Sequence, residues 1–316
     1  MNRLAIALLT AFVLASLGAD LLASEYPLAM RLDEQVYLLP CLTRPASLRL
    51  HTRQTLRQQA AWLVSTPIPF GPNETATDED LEQRSPPPWA PDSRHWLGSD
   101  ELGRDVLARL IHGARVSLFI ALVTVLIAVG VGLVIGASAG YFGGAVDLVL
   151  SRVIEVMTTF PMVFFLIALL SVLRTQSLWP LVVVLGLTRW PDVARLTRAE
   201  TLRLKTLDFV LAARAMGASS ARIVARHIIP NALGPVIVAA TFAVGSTLLL
   251  ETALSFLGLG VAPPTASWGE LLTEAHRTLL SPGAWWLAVF PGLALATMVL
   301  CVNRVGESLQ RSMTRR

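Results

Sequence analysis

Chemistry in this chain would have to come from a small set of residues: five histidines (His51, His95, His112, His227, His276), two cysteines (Cys41, Cys301) and one lysine, Lys205. A phosphate-cradling loop needs Gly-Lys-Ser/Thr, because the lysine reaches the phosphates and the hydroxyl the magnesium. Lys205 follows Leu204, so this route to ATP hydrolysis is closed. No His-Glu-x-x-His zinc signature, Gly-x-Ser-x-Gly elbow or Cys-x-x-Cys pair occurs. The histidines are scattered and read as isolated surface or interface residues, not a metal site. Cys301 lies deep in an apolar run, and the two cysteines are not expected to pair. The expectation is a chain without catalytic residues, cofactor or metal.

The remaining chemistry is recognition. Residues 211–231, "LAARAMGASSARIVARHIIPN", carry Arg214, Arg222, Arg226 and His227 among alanines with no acid. Residues 211–216 are good helix formers, Gly217 suits a helix end, and Ser219 or Ser220 can cap a second helix. In that second helix Ile223, Val224, His227 and Ile228 share one face and Arg222 and Arg226 the other, while Pro230 fits the start of the next element. A membrane-surface helix pair and a protein-docking element are equally consistent with these residues.

The elements that position this segment are membrane helices. The chain has 316 residues, 53% apolar and 15% charged, with a mean hydropathy of +0.58, against about a quarter charged in soluble domains. Its net charge of +4 is carried by arginines that flank apolar runs, a topology signal and not a nucleic-acid patch. Six windows approach the roughly 20 apolar residues that a bilayer crossing requires: 4–22, 116–139, 154–173, 178–196, 232–259 and 285–302. The first also reads as a signal peptide, although an uncleaved helix fits its length better. The fourth is weakest, since Arg189 and Asp192 would have to sit near a membrane face. Between Arg189 and Arg226 stand eight Arg or Lys residues against Asp192, Glu200 and Asp208, which makes this loop cytoplasmic by the positive-inside rule and puts both termini on the same side.

The chain therefore divides into an N-terminal transmembrane helix (1–23), an external segment (24–113) and a five-helix core (114–316) with a cytoplasmic loop at about 197–230. Within the external segment, "PLAMRLDEQVYLLP" alternates around Asp33 and Glu34 as a hairpin would, and "SPPPWAPDS" reads as an extended linker. Asp100, Arg104 and Asp105 either brace the outer end of the second span or meet a partner. Pro161 and Pro291 are placed to kink spans three and six. Glu251, an ionisable residue inside the fifth span, is a candidate for lining a path or for bonding to a neighbouring helix.

The loop resembles the Glu-Ala-Ala motif of binding-protein-dependent ABC import permeases: Glu-Ala-Ala, three residues, Gly, nine residues, Ile-x-Leu-Pro. Three further stretches, "HWLGSDELGRDVLARLIHGARVSL", "AGYFGGAVDLVLSR" and "ETALSFLGLGVAPPTASWGELL", are similar to the dipeptide, oligopeptide and nickel branch, and the likeness runs from about residue 95 to the end. The external segment is similar to the microcin C and oligopeptide subgroup. The resemblance implies an all-α polytopic protein with six transmembrane helices of the MetI-like type. It implies a second, homologous permease, two cytoplasmic ATP-binding subunits, a periplasmic or lipid-anchored substrate-binding protein and the lipid of a bacterial inner membrane as partners, with no nucleic acid. Matching loop positions are Ala212, Ala213, Gly217 and Pro230, with Ile229 for leucine, His227 for isoleucine and Leu211 for the glutamate. The expected function is the transmembrane subunit of an ATP-driven importer for peptides or peptide-like solutes. The alternatives are a membrane-anchored interaction protein whose external segment is the functional part, and an ABC exporter.

Overall fold

Apolar runs of bilayer length fold here as long helices, because a helix satisfies every backbone polar group internally. The computed structural model describes residues 3–32, 34–48, 51–173, 177–278 and 283–314. Its principal helices are α1 (Arg3–Leu17), α2 (Val106–Phe142), α3 (Gly144–Thr159), α4 (Met162–Leu173), α5 (Leu178–Leu204), α6 (Asp208–Ala215), α7 (Ile229–Phe256), α8 (Trp268–Thr278) and α9 (Trp286–Thr314). Among the described residues, three helices are long and apolar enough to cross a membrane: α2, the helix that runs from Ser220 through α7, and α9. A fourth is added if the bent pair of α3 and α4 counts as one crossing.

Two of the expected windows are not continuous helices. Proline biases the residue before it away from helical geometry. Phe160, ahead of Pro161, is accordingly extended (φ −73°, ψ 131°), and α3 and α4 meet at 84°. Window 154–173 thus straddles a corner. Window 4–22 is interrupted at Gly18: α1 has 15 residues, and a separate short helix, Ala19–Leu22, follows it. Conversely, α5 runs past the expected end near residue 196 to Leu204. The connection between windows 154–173 and 178–196, residues 174–177, lies outside the described residues except for Ser177, and so does Asp33 in the expected hairpin.

Contacts divide the chain into two units. The first comprises Met1–Ile6, Phe119–Leu254 and Met298–Arg316. Glycines set its packing: a Cβ on Gly132 would lie 2.5 Å from Val193, one on Gly136 2.4 Å from the Ala194 carbonyl, and one on Gly140 2.7 Å from Thr201. Small residues at every fourth position let the backbones of α2 and α5 approach. Arg198 on α5 clamps Asp147 on α3 with two hydrogen bonds of 2.5 and 2.7 Å, and Lys205 Nζ donates to the Gly140 carbonyl at 2.8 Å. Gly136→Val is expected to cost about 1–3 kcal/mol by overpacking and to lower the melting midpoint followed by tryptophan fluorescence. An unchanged midpoint would show that α2 and α5 part without penalty.

The second unit comprises Ala7–Leu118 and Ser255–Thr297. A three-stranded antiparallel sheet, in the order β2 (Gln35–Leu38), β1 (Ala29–Leu32), β3 (Trp62–Val64), pairs Met30 with Tyr37 and with Leu63. Alternate residues of β1, Met30 and Leu32, face a small core with Leu48 and Leu56. The proline-rich stretch is not a free linker. Trp89 within it is buried, donates its backbone N–H to Ser99 Oγ at 2.8 Å and stacks on His95 at 5.5 Å. An apolar indole packs better than it solvates, and that gain outweighs the bias of its prolines toward a solvated strand.

Candidate functional site

The cationic segment folds as a helix pair closed by glycine. In α6, Asp208 lies in the first turn and Arg214 in the last, matching the helix dipole. Gly217 adopts φ +80°, its N–H donates to the Arg214 carbonyl at 3.0 Å, and the Ala218 N–H reaches the Ala213 carbonyl at 3.1 Å. These are the two bonds of a Schellman cap, which requires a left-handed residue at this position. Ser219 then caps the next turn, its Oγ accepting the Arg222 N–H at 3.4 Å.

After Ser220–Ile223 the backbone widens to π-helical geometry over Val224–Ile228, with the Ile229 N–H bonded to the Val224 carbonyl. Pro230 has no N–H to close the following turn. The side-chain amide of Asn231 donates to the His227 carbonyl at 2.6 Å.

One face of the pair is packed: Val210 and Ala213 meet Ile223, Ile228 and Ala232, together with Tyr141 and Leu204. The other face is apolar but open. Met216 is 82% exposed, and Phe209 and Leu211 are also exposed. Ala212, Gly217, Pro230, Arg222 and Arg226 are exposed, His227 and Ile229 half-buried, and Ala213 buried. Arg214 lies over the Tyr141 ring at 5.4 Å. This is an exposed apolar surface on a helix pair that also carries Arg214, Arg222 and Arg226. Glu251, by contrast, is buried within α7.

A second charged constellation lies in the other unit. Asp105 caps α2, accepting the Ala108 N–H at 2.8 Å, and its other oxygen holds His95 Nδ1 at 2.9 Å between the rings of Phe70 and Trp89. Asp100 accepts the N–H groups of Leu102 and Arg104, both at 2.9 Å, and pairs with the Arg104 side chain at 2.6 Å. Arg109, fully buried in the first turn of α2, reaches Glu270 at 2.5 Å, Glu274 at 3.0 Å and Asp100 at 3.4 Å; Arg104 also pairs with Glu274. Asp100, Arg104 and Asp105 are at most 4% exposed, so of the two roles open to them bracing is the one they serve. His95, expected at a surface or interface, is a buried strut.

Three carboxylates against two guanidiniums leave this cluster one negative charge in excess. Burial, reinforced by Glu270 and Asp100, pushes Glu274 up to about 7 against the pull of Arg109 and Arg104. The folded protein therefore keeps a proton on Glu274 that the unfolded chain, with its lower pKa, has already released. Stability is expected to fall as pH rises from the ordinary carboxylate value of 4.5 toward about 7, by at most about 1.4 kcal/mol per pH unit. Melting midpoints across this window test the point: the wild type should show a steeper decline than Glu274→Gln, and equal slopes would place the titration elsewhere.

Arg109, Glu270 and Glu274 escaped the sequence reading. The available signal was two acids four apart on an amphipathic 11-residue helix, α8, with Trp268 buried at its start and hydrogen-bonded to Leu110 and Ser117.

Helices long and apolar enough to cross a membrane, with a basic helix pair whose apolar face is open, define a membrane-spanning protein with an exposed surface suited to docking. A profile of the family described as binding-protein-dependent transport system inner membrane component matches residues 132–316. The dipeptide transport system permease protein DppC of Bacillus subtilis is 38% identical over 242 residues, covering 77% of this chain and 74% of that one. The oligopeptide transport system permease protein OppC of Escherichia coli is 41% identical over 224 residues, covering 70% and 73%. In fold, the inward-facing MetNI methionine ABC transporter superposes with a TM-score of 0.53 at 18% identity, over 65% of this chain and 95% of that one.

The chain belongs to the binding-protein-dependent transport system inner membrane component family. It is an ABC importer permease subunit, working in general with a further permease, ATPases and a substrate-binding protein, and it is not an enzyme. This membership sets aside the exporter and membrane-anchored interaction-protein readings.

Proposed function

We propose that this subunit carries peptides or peptide-like solutes across a bacterial inner membrane as one half of a channel completed by a second, homologous permease. The observation that carries the mechanism is the open face of residues 208–230, where Leu211 and Met216 stand exposed on a glycine-capped turn rimmed by Arg214, Arg222 and Arg226. Apolar anchors encircled by cations suit a cleft in a partner with acidic margins. That partner is one of two cytoplasmic ATP-binding subunits. The turn is held by the Schellman bonds and by the packed face of Ile223 and Ile228, so displacement of the docked helices passes into α7 without a flexible joint. Leu211, at the position of the family's glutamate, contributes apolar contact in place of a polar one.

In this reading the chain crosses the membrane six times with both termini cytoplasmic. Residues 1–23 form the first crossing, 24–113 lie outside and meet a substrate-binding protein, and 114–316 form the core. The peptide class rests on the printed functions of DppC and OppC. Uptake of a labelled tripeptide by cells expressing the complete importer, with and without this subunit, tests the substrate. Labelling of a cysteine placed at Ser220 tests the orientation. Reaction with an impermeant reagent applied outside intact cells would invert the topology.

A further inference from the structure

Between α2, α5 and α7 lies a cavity of about 300 Å³ with Val125, Ala239 and Phe242 on its walls and Arg189, Asp192 and Ser246 among its polar lining. This volume is at the lower end of the range for small-molecule sites, and apolar walls with a few convergent polar groups are their usual make-up. Arg189 stands near the middle of the 27-residue α5. Its guanidinium lines the cavity beside apolar walls, where burying a charge is costly unless it is hydrogen-bonded or paired.

Arg189 has five N–H donors in a fixed fork. Among the described residues its hydrogen bond is a single one, Nη2 donating to Ser246 Oγ at 2.8 Å. Asp192, one turn away, bonds to Arg195 at 2.8 Å and is within electrostatic reach of Arg189. The rest of the fork is therefore available to whatever occupies the cavity, and its geometry matches a carboxylate.

We propose that Arg189 receives the carboxylate of the transported solute during its passage through this subunit. Ser246 holds the guanidinium toward the cavity, and the apolar walls strengthen the pairing by excluding water. The proposal rests on the peptide reading above, since every unmodified peptide carries such a carboxylate at its C-terminus.

The test uses the complete importer in proteoliposomes with two probes, labelled trialanine and its C-terminal amide. For wild type and Arg189→Lys, the free acid is expected to be carried about tenfold faster than the amide, the factor that one charge-assisted hydrogen bond supplies. For Arg189→Gln that ratio should collapse toward one, mainly through slower transport of the acid. The binding protein is the same throughout, so its own preference cancels between variants. An equal fall for both probes would overturn the proposal, because a merely structural arginine affects acid and amide alike. Loss of co-purification with the second permease would also overturn it, showing that Arg189 pairs with an acid of that subunit. Failure of the wild type to carry either probe would instead overturn the peptide reading itself and this proposal with it.

Discussion

Replacing Arg109 by leucine is expected to destabilise the protein by about 3–5 kcal/mol, the usual result of removing one partner from a buried charge cluster. The side chain is fully buried and lies within 3.4 Å of three carboxylates, on Asp100, Glu270 and Glu274. Without it, Arg104 alone faces all three, and the excess charge with all three ionised rises from one to two. Leucine fills much of the volume, so the loss is electrostatic more than a cavity effect. Partial rescue is the diagnostic. Glu270→Gln alone should weaken the protein, because it strips Arg109 of its shortest contact, whereas in the Arg109→Leu background it should recover part of the lost midpoint. Melting of the purified importer, followed by tryptophan fluorescence, reads both. An Arg109→Leu midpoint within about 2 °C of wild type would show that the cluster is hydrated and contributes little.

The helix pair at residues 208–230 was largely legible in the sequence, and the ion cluster was not. Every signal at residues 208–230 is local: a glycine where the chain must turn left-handed, a serine two residues on, isoleucines at helical spacing, a proline at the next helix. Local rules fix local geometry, so Gly217 and Ser219 take the places that their types favour. The π-helical widening over Val224–Ile228, just ahead of Pro230, had no signal in residue spacing. Arg109 and Glu270, in contrast, are 161 residues apart. Nothing in periodicity or spacing says that the start of α2 meets α8, and an arginine beside an apolar run reads as a topology marker. The same limit hid the close approach of α2 and α5. Gly132, Gly136 and Gly140 stand in plain view at intervals of four, but what they make room for is supplied by Val193, Ala194 and Thr201.

Gly217→Asp is expected to reduce ATP-driven uptake by more than tenfold while leaving the subunit folded and inserted. A Cβ at this glycine meets no atom within 4 Å, so the isolated chain has room for the new side chain. The left-handed conformation, φ +80°, costs aspartate about 1 kcal/mol, less than most residues because Asp and Asn tolerate it. The damage falls on the docked state. The turn lies beside Met216 on a surface rimmed by Arg214, Arg222 and Arg226, and a partner fitted to those cations presents acids of its own. A carboxylate added there is repelled, and if it is trapped without a partner it costs a further 1–3 kcal/mol or more, roughly a tenfold loss in affinity or greater. Gly217→Asn separates charge from shape, since asparagine has nearly the same size and the same tolerance of the left-handed region. It should retain co-purification with the ATP-binding subunits and most of the uptake, while aspartate loses both. Equal behaviour of the two variants would assign the effect to the backbone. Full uptake with Gly217→Asp would remove residues 208–230 from the coupling interface.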